Sequence, residues 1–186
     1  MIRNILKNAY EQKKLVDINI YESENDDPII GYVTAINDDF FTVNEIDKFG
    51  NYNGCTIYSV NKIKNISMDN WYIRNLKIII DNHFNLNQDM RVTIWKSGNE
   101  LIPHFQCLKE QQDIVMLFFD NEDFEIGILM DFDSDTITLK NIGQDGYELG
   151  ITHYPINNIC GLKYNGLGEQ KTKLLYNAFK DIGDKY

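Results

Sequence analysis

GYVTAINDDFFTVNEIDKFGNYNGCTIYSVNKI, residues 31–63, and GILMDFDSDTITLKNIGQDGYELGITHYPINNI, residues 127–159, lie over each other without a gap at an offset of 96. Gly31 meets Gly127, Asp39 meets Asp135, Thr42 meets Thr138 and Ile46 meets Ile142. Gly50 then falls on Gly146, Gly54 on Gly150, Thr56 on Thr152, Tyr58 on Tyr154, Asn61 on Asn157 and Ile63 on Ile159. Unrelated stretches of this composition and length share about two or three identities. Several other positions exchange one apolar residue for another, as in Val33/Leu129, Val43/Leu139 and Val60/Ile156. One small β-module is used twice.

Within each copy, alternating apolar residues bounded by polar turns predict five short strands. In the first they cover 16–21, 28–36, 40–46, 55–60 and 62–67; in the second, 113–119, 124–132, 136–142, 151–156 and 158–163. Gly31 and Gly127 fall inside strands, where a missing side chain permits a sharp bend. Gly50/Gly146 and Gly54/Gly150 fall where a long hairpin turn requires positive φ. Ile2, Ile5, Leu6 and Ala9 sit at helical spacing and predict a helix over 1–14. Further helices are expected at 69–77 and 167–182. Between the modules, 91–95 reads as an extra strand, and 100–109 as a helix interrupted by Pro103, the lead-in to the second copy. The division expected is 1–80, a helix, the first barrel and a short helix, and 81–186, the second barrel with its lead-in and C-terminal helix.

Five short strands in a flat sheet leave two exposed edges, and closure into a barrel removes them. The fold class expected is therefore mainly β with flanking helices (α+β), as two tandem five-stranded barrels. The run Ile30-Gly31-Tyr32-Val33 through Asn37 to Val43, and its copy Ile126-Gly127-Ile128-Leu129 through Asp133 to Leu139, resembles the Sm-like branch of the SH3-like barrels. That resemblance covers about 50 residues in each half and implies the fold alone. Sm proteins hold RNA with an Asn soon after the turn Asp and with an Arg-Gly pair in the fourth strand's turn. Here the first place holds Phe40 and Phe41, or Thr136 and Ile137. The second holds Tyr58-Ser59 and Tyr154-Pro155, with no Arg.

Charge separates the halves. The chain carries 18 Lys and Arg against 28 Asp and Glu, a formal net charge of −10. Residues 1–96 hold 11 basic and 13 acidic side chains, and residues 97–186 hold 7 and 15. Between 110 and 162, Lys140 is the single cation against eleven carboxylates. A surface of that sign repels nucleic acid and attracts basic partners. The candidate partner-binding residues are Asp120, Glu122, Asp123, Glu125, Asp133, Asp135, Asp145 and Glu148. The first half offers a modest basic-aromatic patch, Lys62, Lys64, Trp71, Tyr72, Arg74 and Lys77, as an alternative site for RNA or a nucleotide.

Catalytic signals are missing from the sequence. His83, His104 and His153 are scattered, and no HExxH, GxSxG or P-loop pattern occurs. Asp131, Asp133 and Asp135 alternate as calcium-loop oxygens do, but lack the glycine and distal Glu of such a loop, and Asp131 matches Ala35 in the first copy. No cofactor or metal is expected. Cys55, Cys107 and Cys160 have no paired spacing and read as buried, reduced thiols. Trp71-Tyr72 and Trp95 read as packing residues at module boundaries, or as anchors for a partner. No apolar run reaches the length of a membrane span, and residues 1–14 lack a signal-peptide core, which predicts a cytoplasmic protein without membrane contact. The expected function is a non-catalytic acidic protein-binding module. Its concrete form is a bacterial immunity or neutraliser protein covering a basic toxin domain. An oligomeric scaffold is the third possibility.

Overall fold

The computed structural model describes residues 2–21, 28–82, 92–96, 98–120 and 123–182. The chain forms two compact units, 1–83 and 84–186. Each is built around its own antiparallel sheet, so the fold class is mainly β, with four α-helices among the described residues.

In the first unit, α1 (Ile2–Glu11) leads into β1 (Leu15–Ile20), β2 (Ile29–Ile36), β3 (Phe40–Ile46), β4 (Tyr52–Ser59) and β5 (Ile63–Ser67), followed by α2 (Trp71–Asn82). The sheet order is β4-β3-β2-β1-β5, with a 3-10 turn, Val60–Lys62, carrying the chain from β4 to β5. Leu6 and Ala9 of α1 pack against Val16, Ile18, Val33, Phe41 and Val43 of this sheet. That apolar stripe at helical spacing is what docks a helix only ten residues long.

The second unit repeats the plan. It adds β6 (Val92–Trp95), then α3 (Ile102–Gln111), β7 (Ile114–Phe119), β8 (Phe124–Phe132), β9 (Thr136–Ile142), β10 (Glu148–Pro155), β11 (Ile159–Tyr164) and α4 (Leu167–Ile182). The 3-10 turn Ile156–Asn158 matches Val60–Lys62 at the offset of 96. Phe105 and Leu108 of α3 take the places of Leu6 and Ala9 at an offset of 99. The change reflects the stretch between matched positions of the first two strands, Ile20 to Ile29 against Phe119 to Glu125, which is three residues longer in the first unit. Lys13 and Gln112 end the two lead-in helices in the left-handed conformation, φ 50° and 52°. Pro103 stands in the first turn of α3, where its missing N–H costs nothing, so it starts the helix instead of interrupting it.

Irregularities repeat as faithfully as strands. The β2–β3 register slips between Val33 and Ala35, and the β8–β9 register between Leu129 and Asp131. An added Cβ at Gly31 would lie 2.2 Å from Asn44 O, and one at Gly127 2.2 Å from Lys140 O. These glycines let adjacent backbones approach where the sheet bends. Gly54 and Gly150, at φ 123° and 118°, close the matching bulge in the β3–β4 and β9–β10 hairpins. Asn37 Oδ1 accepts the backbone N–H of Asp39 and Phe40 at 2.9 and 2.8 Å, and Asp133 Oδ1 accepts those of Asp135 and Thr136, both at 2.8 Å.

Two expectations change. Hydrogen bonding does not close either sheet: among the described residues β4 and β10 each pair with one neighbour. The second sheet has six strands, not five, because β6 pairs along the outer edge of β11. Curvature is nevertheless steep in the second unit. The rings of Phe119 on β7 and Tyr154 on β10 lie 5.2 Å apart, although two strands separate them in the sheet order. In a flat sheet that span is about 14 Å. The sheet coils around Val115, Leu117, Leu129, Ile137, Leu139 and Ile159, and α3 fills the interior from one side. Its convex face carries a separate cluster, Ile114, Ile128 and Ile142 under Tyr176 of α4. No helix among the described residues is long and apolar enough to cross a membrane.

Candidate functional site: a carboxylate-rimmed cleft in the second unit

Side chains alternate across each strand, so β7 sends Val115, Leu117 and Phe119 inward, and β9 sends Ile137, Leu139 and Asn141. The inward rows start apolar and end polar. At that polar end Asn141 Nδ2 donates to Tyr154 Oη at 2.9 Å and to Thr152 Oγ1 at 3.2 Å, with Glu125 Oε2 at 3.5 Å. The buried Asn141 Oδ1 accepts nothing among the described residues.

Glu125 and Tyr154 of this network line a cleft of about 520 Å³ together with Phe119, Asp120, Asp123, Phe124, Pro155 and Asn158. Three carboxylates and three rings therefore meet in one concavity, the carboxylates from the β7–β8 turn and the start of β8. Phe119 N–H donates to Asp123 O at 3.0 Å, which holds the two ends of that turn together.

The first unit builds the same motif with different residues. Tyr58, the counterpart of Tyr154, donates to Glu45 Oε1 at 2.6 Å, and Glu45 is the counterpart of Asn141. Burial, then the Glu45 hydrogen bond, push the Tyr58 phenol up to about 12. Ile29 occupies the place of Glu125. Each unit thus holds one carboxylate beside its tyrosine, taken from β3 in the first and from β8 in the second.

The remaining acidic candidates are distributed by the hairpins. Asp133 is spent on its own turn, as described above. Asp135 holds the 3-10 turn, its carbonyl accepting Ile156 N–H at 2.8 Å one residue beyond Pro155 of the cleft. Asp145 is exposed on the β9–β10 turn, separated from Asp133 and Asp135 by the full length of β9, about 23 Å. Glu148 is tied inward: Tyr176 Oη donates to it at 2.9 Å and Lys140 Nζ lies at 3.2 Å. The Tyr176 hydrogen bond, with Lys140 behind it, holds the Glu148 carboxyl below its ordinary range, and Glu148 in turn raises Lys140. Glu122 and His83 lie outside the described residues.

Asp131 of β8 pairs with Lys109 at 2.7 Å, Asp133 caps its turn and the Asp135 carboxylate accepts from Ser134 Oγ at 3.1 Å, so the alternating aspartates do not converge among the described residues. Cys55 and Cys107 are exposed and Cys160 half-buried, which corrects the expectation of buried thiols. Cys55 lies on the outward row of the edge strand β4, and Cys107 on the side of α3 away from Phe105 and Leu108.

In the first unit, Lys62 ends the 3-10 turn, Lys64 lies on β5, and Trp71, Tyr72, Arg74 and Lys77 lie on the exposed side of α2. Arg74 is engaged in both directions by Asp69, Nε at 3.0 Å and a terminal nitrogen at 3.3 Å. Tyr72 is raised by burial and then by Asp17 and Asp47. The patch contains its own counter-charges, which weakens it as a phosphate-binding face.

No family model matches the chain. No curated protein and no solved structure matches it either. The cleft, with its repeat-related counterpart as an internal reference, carries the functional reading.

Proposed function

We propose that the chain is a non-catalytic acidic protein-binding module that captures a basic protein partner through the cleft of its second unit. A bacterial immunity or neutraliser protein covering a toxin domain is the concrete form. The observation that carries this reading is the meeting of Asp120, Asp123 and Glu125 with Phe119, Phe124 and Tyr154 in one concavity. Carboxylates at a rim steer a cationic partner toward encounter, and rings in a concave centre supply the contact area of interface anchors. The charge difference between the halves supports the same assignment, because it concentrates acidity in the unit that holds the cleft.

We further infer that each unit is a small Sm-like or SH3-like barrel in an open form. The lead-in helix, the order β4-β3-β2-β1-β5, the 3-10 link into β5 and the bent, glycine-bearing β2 support this assignment. The RNA-binding positions of that family are not carried over, since the chain lacks their residues.

The test is a variant with the cleft's rim charges reversed, Asp120→Lys with Asp123→Lys, titrated against basic toxin domains, with cytochrome c as a charge-matched control. Weaker toxin capture with a flatter salt dependence, and no capture of cytochrome c by either form, bears out the reading. Equal capture by variant and parent overturns it.

A further inference from the structure

The internal repeat works as a control for the surface as well as for the fold. Positions that build the module stay alike between units; a position that changes from polar to aromatic on an exposed face needs another reason. Phe118, where the first unit has Asn19, is such a position, and it lies in a row that crosses four strands of the second sheet. Trp95 of β6 stands opposite Gly161 of β11, Gly161 opposite Phe118 of β7, and Phe118 opposite Phe124 of β8. All four lie in one cross-strand row on the convex face, the side on which α4 packs further along the strands.

In the first unit the counterparts of Gly161 and Phe118 are Asn65 and Asn19, paired in the same register and joined by a hydrogen bond of 2.9 Å. Pro28 takes the place of Phe124. Trp95 has its seat because position 161 is glycine: an added Cβ would come within 2.7 Å of the indole. The indole packs on Phe118 at a centroid distance of 4.6 Å. Trp95 remains 65 % exposed and Phe124 47 % exposed. Where the first unit has the Asn19–Asn65 pair and Pro28, the second has Phe118, Gly161 and Phe124, and β6 adds Trp95, so that three rings form a row, two of them open to solvent. Asp120 and Asp123 border the row, two residues after Phe118 and one before Phe124, and Phe124 also lines the cleft.

We propose that the Trp95–Phe118–Phe124 row is a docking strip for an arginine-bearing segment of a basic protein partner. The argument for that occupant is complementarity of charge and shape. Asp120 and Asp123 stand at the strip's edge in the more acidic half of the chain, and a flat guanidinium stacks on an aromatic face while pairing with a carboxylate. A lysine ammonium is a compact point charge that gains less from stacking. The strip rests on the reading of the second unit as a basic-partner site, and it extends that site from the cleft onto the convex face.

The experiment uses the full chain carrying Trp71→Phe, so that Trp95 is the single indole, titrated with a nona-arginine peptide and with a nona-lysine peptide. The expected result is a change in Trp95 emission with the arginine peptide and affinity for it at least about tenfold above that for the lysine peptide. Removing the rings, by Trp95→Ser in a chain that keeps Trp71 and by Phe124→Ser, should weaken arginine-peptide binding by about tenfold or more in calorimetry. Trp95→Tyr should restore most of it. Thermal melts of each variant show whether it has folded, and Phe124→Ser leaves the Trp95 seat in place should the first variant unfold. Equal affinity for the two peptides, or full binding by the folded ring variants while Asp120→Lys/Asp123→Lys abolishes it, overturns the strip and leaves the basic-partner reading standing. Failure of the parent chain to bind either peptide, or binding indifferent to that charge reversal, overturns both.

Discussion

Tyr58 of β4 donates its hydroxyl hydrogen to Glu45 of β3 at 2.6 Å, and 96 residues later Tyr154 of β10 accepts from Asn141 of β9 at 2.9 Å. One hydroxyl plays opposite parts in the two units because its partner changes from an acceptor-only carboxylate to an amide with protons to give. Raising the Tyr58 pKa means the folded state favours the neutral phenol. That contribution to stability is fully present below pH 10, the ordinary tyrosine value, and is lost as pH rises through about 12. Tyr32, Tyr72 and Tyr176 are also raised, so ultraviolet titration should show several tyrosines ionising late, and Tyr58→Phe should diminish that late component. The same substitution leaves Glu45 without its donor, at a cost of about 1–2 kcal/mol in denaturant unfolding. An undiminished late component in Tyr58→Phe would refute the assignment.

Glycine substitutions should divide by position. Gly31→Ala and Gly127→Ala drive a methyl group into a neighbouring carbonyl oxygen at 2.2 Å. The backbone must shift, and each change should destabilise by about 3 kcal/mol. Gly54→Ala and Gly150→Ala meet nothing within 4 Å and suffer only from their positive φ. They should cost about 1–2 kcal/mol. Chemical denaturation of the four variants checks the ranking.

Glu169, in the first turn of α4, is 3 % exposed, and Lys163 of β11 lies 3.0 Å away, an ion pair without hydrogen-bond geometry. Removing one partner strands a charge, whereas replacing both with apolar residues removes the need for pairing. Glu169→Leu or Lys163→Met alone should cost about 3 kcal/mol, and the double variant should fall well below the sum. Additive losses would show that the two side chains do not depend on each other.

Glu148 couples α4 to the β9–β10 hairpin through Tyr176 and Lys140. Its carboxyl is held below the ordinary 4.5, so its stabilising contribution is present above that value and is lost as pH falls through the lower folded value. Glu148→Gln should flatten that part of the acid limb of thermal stability, followed by circular dichroism against pH. An unchanged acid limb would mean that the Tyr176–Glu148–Lys140 contacts contribute nothing to holding the helix.

How much of this could be read beforehand varies with the range of the interaction involved. The glycines, the Asn37/Asp133 turn and the strand alternation are local, and the repeat doubled each signal. The lead-in helix of the second unit was harder to read because its offset is 99 and Pro103 looked like an interruption. Acidity at 110–162 was plain, but which carboxylates share a cleft was not, since Glu148 and Asp133 are consumed by contacts that residue type does not disclose. Trp95 and Tyr154 stood out as a large aromatic and a repeat identity; their neighbours Phe118 and Asn141 did not.

Sequence alone determined that one β-module occurs twice, where its strands turn, and that negative charge gathers in the second copy, because these follow from chain-local periodicity, turn chemistry and composition. Tertiary structure decided that the second sheet gains a sixth strand and coils until Phe119 reaches Tyr154. It also decided that Trp95, Phe118 and Phe124 form one row. Those outcomes depend on register between strands far apart in the chain, where a single glycine, Gly161, makes room for an indole 66 residues away.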